Sequence, residues 1–311
     1  MKYLLSAIFV SSALISSVFG QGWTEISAGT TSNITGIAFC SPDTGHFVTH
    51  DGNLGVTFDA GAKWLLLPVA PETALEDLFF INRDTGMVCG RGGAIYRTTN
   101  GGRTWENVSI DDTQPWLLSV HMSSGTEAVV LGMTREKDAP LKGLSLDTAD
   151  GGKTWERHES HGMAYGEIFA AADGDLYHQS WGRLHLSKDN GKTWRTTETG
   201  DGKPGRVISI LGSTGIRAGN NGMCDISRDN GKTWTPAVVR NDCHYTSIVM
   251  FDENHALVGG SRGALLETTD AGANWKSQVL PTQFDIYDMA RAGTYVVVAG
   301  ADGHLIRKKV R

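Results

Sequence analysis

Several absences narrow the reading before any motif does. Four cysteines occur in 311 residues and none stands in a Cys-x-x-Cys pair, so no cysteine-based metal knuckle is expected, and no other metal or cofactor either. Basic charge is not in surplus: 28 Lys and Arg face 34 Asp and Glu, for a formal net charge of −6. That balance lacks the basic footprint of a nucleic-acid binder. No segment holds a 3.6-residue apolar period for three turns, which removes amphipathic helices from the expectation. After the N-terminal apolar run no stretch reaches bilayer-spanning length.

That run, from Tyr3 to about Leu14, follows Lys2 and ends in Val18-Phe19-Gly20. It is too short to span a bilayer and has the form of an export signal, with cleavage expected after Gly20. Residues 1–20 therefore read as a signal peptide and 21–311 as one exported domain, secreted, periplasmic or lumenal. No cysteine sits at the cleavage point to carry a lipid anchor.

The rest of the chain repeats one eight-residue pattern six times: hydroxyl-x-acid/amide-x-Gly-x-x-Trp. It runs Thr57–Trp64, Thr98–Trp105, Thr148–Trp155, Ser187–Trp194, Ser227–Trp234 and Thr268–Trp275. The steps between copies are 41, 50, 39, 40 and 41 residues, a period typical of propellers and solenoids. The hydroxyl and the short acid or amide (Asp59, Asn100, Asp150, Asp189, Asp229, Asp270) can bond the loop's own backbone, while glycine takes the positive φ of a tight turn. Tryptophan then re-enters a strand as a packing face. This is the Asp-box of sialidases and sortilin-type receptors, and it assigns these acids a structural role.

Between boxes lie an apolar strand, an Asp-Thr-Gly turn, a short strand, a Gly-Gly turn and a strand entering the next box. Four antiparallel strands at this period describe an all-β, seven-bladed propeller. Gly300–Arg307 resembles the strand before a box, yet the chain ends before any further Trp, and Trp23 lies 41 residues before Trp64. The N-terminal strand is thus expected to close the last blade, which removes the exposed sheet edges. The one long insertion falls around Arg135–Lys142.

A repeat reading Gly-x-Gly-Gly-x-Ile-x-x-Thr-Thr-Asn-Gly-Gly-x-Thr-Trp, best carried by Gly90–Trp105, Thr148–Trp155 and Gly260–Trp275, resembles the photosystem II assembly and stability factors of cyanobacteria and plastids. The resemblance spans the mature chain. It implies a non-catalytic scaffold that binds a protein partner, a membrane-protein assembly intermediate, through an arginine-rich patch. Arg91, Arg183 and Arg262 fall near the corresponding turn, where other blades have Asp51, Asn221 and Asp302.

Aligned innermost strands give one column: Gly36, Asp77, Ser119, Glu167, Ser209, Ser247 and Asp288. Asp77, Glu167 and Asp288 are candidates for a channel ring that binds a cation or acts as an acid/base pair on a glycan; the alternative is hydrogen bonding to neighbouring backbone. Trp116 and Trp181 could stack on sugars or fill blade interfaces. His158, His161, Tyr165, His178 and His185 offer general bases or solvated loop residues. Cys40, Cys89, Cys224 and Cys243 allow three pairings; Cys224 with Cys243 is preferred, against four free thiols. Asn33-Ile34-Thr35 and Asn107-Val108-Ser109 are glycosylation sequons in a eukaryotic source.

Two functions stand beside each other: a monomeric protein-binding scaffold, and a carbohydrate-active enzyme, sialidase-like or another Asp-box hydrolase or lyase. Against the second, no Phe/Tyr-Arg-Ile-Pro motif occurs near the mature N-terminus. A glycan-binding lectin would need like residues at one column in most blades, and the columns are irregular.

Overall fold

The computed structural model describes residues 22–110, 114–134, 141–160, 166–180, 182–198, 205–240 and 242–310. Residues 1–20, Trp181, His161, Tyr165 and residues 135–140 of the insertion lie outside them. Seven four-stranded antiparallel sheets follow one another around a ring. Blade 1 runs from Ile34–Phe39 at the axis to Leu65–Pro68 at the rim. The innermost strands of blades 2 to 7 are Leu75–Phe80, Trp116–Met122, Ile168–Ala170, Gly205–Leu211, Tyr245–Met250 and Ile286–Ala292. Trp23–Ser27 supplies the fourth strand of blade 7, pairing Trp23 with Lys308 and Ser27 with His304. The ring closes as the sequence leads one to expect.

Each box turn folds on its own side chains. In the second blade Thr98 Oγ1 accepts the Gly102 N–H at 3.0 Å and Asn100 Oδ1 accepts the Thr104 N–H at 2.9 Å. The Thr57, Thr148, Ser187, Ser227 and Thr268 hydroxyls do the same for the glycines of their boxes. Glycine is required there for two reasons. Gly102 has φ of 80°, and a Cβ on it would meet Leu54 of the preceding blade at 2.5 Å.

Adjacent blades are sealed by apolar clusters. Leu54, Val56 and Val48 of blade 1 pack on Leu75, Leu78 and Val88 of blade 2; comparable clusters join blades 2–3, 5–6, 6–7 and 7–1. At the junction of blades 3 and 4 the buried cluster shrinks to Val129, Leu131 and Leu176. Among the described residues no apolar cluster crosses from blade 4 to blade 5. The cause lies at one cross-strand position on the face each blade turns to its predecessor. That position is Val88/Tyr96 in blade 2, Val258/Leu266 in blade 6 and Val298/Ile306 in blade 7. In blade 4 it is His178/His185, with ring centroids 5.5 Å apart. In blade 5 it is Arg217/Asp225, an ion pair at 2.6 Å with side chains 3% and 2% exposed.

Two sequence expectations are corrected here. Cys224 and Cys243 share one apolar cluster but, like Cys40 and Cys89, are free thiols. His178 and His185 are buried strand residues rather than solvated loop residues.

Removing one member of a buried ion pair strands the other, at a cost of about 3–5 kcal/mol. Arg217→Met is therefore expected to lower the urea-unfolding free energy by about that amount. Arg217→Val with Asp225→Leu, the side chains blade 6 carries at these positions, should recover most of the loss. Equal losses in the single and double variants would show that this junction does not depend on charge pairing.

Candidate functional site

At the axis the innermost strands share a β-bulge. The ladder skips Thr35, Glu76, Leu118, Arg206, Thr246 and Tyr287 in six blades. A bulge re-aims the extra side chain. Five of the six turn into one cavity of about 230 Å³ at the channel mouth, on the face that carries the Gly-Gly turns; His50, Arg91, Trp116, Gly166, Glu167 and Val207 complete its wall.

The residue after each bulge forms the column foreseen from sequence, with one correction. Val207, not Ser209, pairs at the register of Asp77 and Asp288, because Arg206 takes up the bulge. The column acts as a latch between blades. Asp77 Oδ2 accepts the Val120 N–H and the Ser119 hydroxyl of blade 3, each at 2.9 Å, while its Oδ1 accepts the Leu78 N–H at 2.7 Å. Ser119 Oγ then accepts the Ile168 N–H of blade 4 at 3.0 Å. Across the ring Asp288 Oδ2 accepts the Ile37 N–H of blade 1 at 2.8 Å, and Oδ1 accepts the Ser247 hydroxyl and its neighbour Met289 N–H.

Glu167 sits in the same column, yet it has no hydrogen-bond partner among the described residues. Burial, with repulsion from Asp288 and Asp77, pushes its carboxyl well above the usual range, against the pull of Arg206. Burial also raises Asp77 to about 6 and Asp288 to about 7, opposed by the bonds each accepts. The three acids of the candidate ring thus separate into two structural latches and one unbonded acid. A glycosidase needs two carboxylates free to face the substrate. With Asp77 and Asp288 engaged on backbone, the hydrolase alternative is not favoured.

The cavity wall is polar. Glu76 accepts hydrogen bonds from Trp116 Nε1 at 2.7 Å and Arg91 Nε at 3.0 Å, and its other oxygen lies 3.3 Å from His50 Nε2. Burial works against the charged Glu76, but the bonds from His50, Arg91 and Trp116 hold its carboxyl below the usual range. Arg91 also stacks on Trp116, with Cζ 4.4 Å from the ring centroid. Trp116 is thereby a wall of the mouth, covered by Arg91. Arg206 is exposed and makes no ion pair or hydrogen bond among the described residues.

The other arginines singled out from sequence do not join this wall. Arg183 pairs with Glu198 on its own blade at 2.8 Å. Arg262, with φ of 57°, donates to the Asp242 carbonyl at 3.3 Å. The sequence reading missed Glu76, Arg206 and Tyr287. Their signal was legible: each immediately precedes the latch column and breaks the strand's two-residue alternation.

Comparison with known proteins places these features. The model of the "Photosynthesis system II assembly factor YCF48" family matches residues 15–115, 63–161 and 187–305. A photosystem II assembly lipoprotein Ycf48 of Synechococcus sp. (strain CC9902) is 23% identical over 310 residues, covering 92% of this chain and 87% of that one. A solved structure described as YCF48 bound to D1 peptide superposes with a TM-score of 0.74 at 19% identity, over 93% of this chain and 97% of that one. YCF48 from Cyanidioschyzon merolae gives the same TM-score at 16% identity, over 93% and 99%.

The raised acids set a pH dependence. Asp288 ordinarily titrates near 3.8 and here near 7, so between those values the folded chain holds a proton that the unfolded chain lacks. Its stabilising contribution is complete below about pH 4 and is lost as pH rises through 7. His46 and His121, lowered by burial to about 4, and His178, lowered to about 3, act oppositely and cost stability as pH falls below 6.5. The difference between wild type and Asp288→Asn cancels the histidines. It is expected to move in the variant's favour by on the order of 2 kcal/mol between pH 5 and pH 8, read from urea midpoints. A difference constant with pH would place the Asp288 proton elsewhere.

Proposed function

The chain belongs to the photosystem II assembly factor YCF48 family, and from that membership we propose that it is a non-catalytic scaffold that holds a protein partner at the channel mouth. The observation that carries the proposal is the family match over residues 15–115, 63–161 and 187–305, which takes in most of the propeller. The mouth supplies a surface suited to the task. A cavity of about 230 Å³ is too small for a folded domain but admits one or two side chains of an extended segment. The latched column beneath it keeps the wall rigid, so little ordering entropy is lost on binding. Arg206 offers a guanidinium that has no partner among the described residues, Arg91 a guanidinium over an aromatic ring, and Tyr287 a phenol.

The partner class follows the relatives. The related structure's description speaks of a D1 peptide bound to that protein, and we infer a segment of a membrane-protein assembly intermediate here. The export signal read in residues 1–20 would bring the domain to the compartment where lumenal or periplasmic segments are displayed. Trp116 and the acids of the column serve the wall and the latch, and no glycan is required.

Position-specific photo-crosslinking in the native cell tests this. A benzophenone side chain at Tyr287 should give a discrete protein adduct, while the same probe at the exposed Phe58 on the opposite, box-turn face should not. Charge reversal at Arg206 (Arg206→Glu) should weaken capture at least roughly tenfold, the scale of a lost charge-assisted contact. Equal adducts from both faces, or none from the mouth, would overturn the assignment of the partner to this surface.

A further inference from the structure

The outer strands of blade 3 depart from the repeat at several positions that meet on one face. Just before each box residue 1, the third strand pairs with the residue after the box tryptophan of the fourth. Where both members of that pair are charged in other blades, the charges are opposite: Arg97 with Glu106, and Glu267 with Lys276. Elsewhere the pair is apolar or carries a single charge, as in Val56/Leu65 and Leu186/Arg195. In blade 3 it is Asp147 with Glu156, acid opposite acid. Like charges at this spacing repel, and the Asp147 side chain is only 9% exposed.

The neighbouring position departs too. Three residues after the box tryptophan stand Leu67, Val108, Thr197, Ala237 and Gln278 in the other boxes, none of them ionisable; blade 3 has His158. Its Nε2 lies 2.6 Å from Asp147 Oδ1. The third departure is Ser145, directly opposite His158 in the register. Leu54, Ile95, Leu184, Cys224 and Leu265 take this place elsewhere. Ser145 is fully buried, lies on the face of Asp147, and its Oγ has no hydrogen-bond partner among the described residues.

One ligand atom from each of Asp147, Glu156 and His158 falls within 4.8 Å of the others. Among the described residues, a His158–Asp147 ion pair alone would leave Glu156 facing a buried carboxylate without a cation and Ser145 without a bond. We propose that Asp147, Glu156 and His158 bind a divalent metal ion, with Ser145 at the buried side of the site. One imidazole nitrogen and two carboxylate oxygens form a borderline donor set that favours Zn²⁺ over Mg²⁺ or Ca²⁺. An open fourth position faces solvent on the side of exposed Glu156. The ion neutralises the paired acids and fastens the outermost strand of blade 3 to its neighbour, beside the thinly sealed junction with blade 4. Sequence spacing concealed the site, because residues 147, 156 and 158 converge only once the two strands are in register.

Calorimetric titration of the chelator-treated full chain with ZnCl₂ tests the site, with Co²⁺ absorption reporting the donor set. Wild type is expected to take up one ion per chain, and His158→Gln and Glu156→Gln each to weaken that uptake at least roughly tenfold. Glu156 is exposed, so Glu156→Gln keeps its fold and remains informative if a change at buried Asp147 does not. Circular dichroism and melting of each variant separate loss of metal from loss of fold. No stoichiometric uptake by wild type, or uptake unchanged in folded His158→Gln and Glu156→Gln, would overturn the site. Ca²⁺ competing as well as Zn²⁺ would overturn the assignment to an imidazole-preferring ion.

Discussion

The seal between neighbouring blades is the constraint on which everything else depends. A four-stranded sheet with two apolar faces cannot stand alone in water, and here each face is covered only by the next blade. Three devices at different radii make the seal. Near the axis, Asp77, Ser119, Ser247 and Asp288 accept hydrogen bonds from backbone of a neighbouring blade. At mid-radius, interdigitating Val, Leu and Ile exclude water. Toward the rim, the box turn presses its glycine on the preceding blade, as Gly191 does on Val129 and Gly272 on Ile226. The box is thus a junction element as much as a turn, and its glycine answers to packing as well as to φ.

Blade 4 breaks the pattern on both sides. It offers His178 and His185 to blade 3 and receives Arg217 and Asp225 from blade 5. At the same junction the box glycine of blade 5 touches Ile210 of its own blade instead of its predecessor. An ion pair buried this deeply repays its desolvation only by good geometry, and as a source of net stability it is weaker than the aliphatic pair it replaces. Its other effect is specificity. A charge pair that must find its partner fixes register where apolar contacts are fewest.

The periodic part of this architecture was legible in the sequence, and the departures from it were legible only in part. Six boxes, the Asp-Thr-Gly turns and the offset of Trp23 from Trp64 state blade number, strand order and closure, because each is a local signal repeated. Asp77 and Asp288 stood out for the same reason, as acids in a column of small residues, but their partners lie one blade away. Ser209 drew attention because it is a small polar residue like Ser119 and Ser247, whereas the ladder puts apolar Val207, two residues earlier, in the column. Cys224 and Cys243 looked like a pair because they are close in sequence, yet burial among Ile216, Tyr245 and Val258 accounts for both.

A seven-fold repeat also changes what counts as evidence for function. A residue that recurs in most blades is accounted for by the repeat itself: the Asp-box acids, the most visible acids in the chain, bond the backbone of their own turns. Information about binding resides in positions where equivalent strands differ. At the bulge six blades carry Thr35, Glu76, Leu118, Arg206, Thr246 and Tyr287 in corresponding places. Thr35 and Thr246 each donate to a carbonyl of the next blade, Leu75 O at 2.8 Å and Ile286 O at 2.7 Å; all but Thr246 also line the cavity. A lectin with a site in every blade would need uniformity there. A mouth of five different side chains around one axis instead defines a single asymmetric site, which suits recognition of one segment of one protein chain.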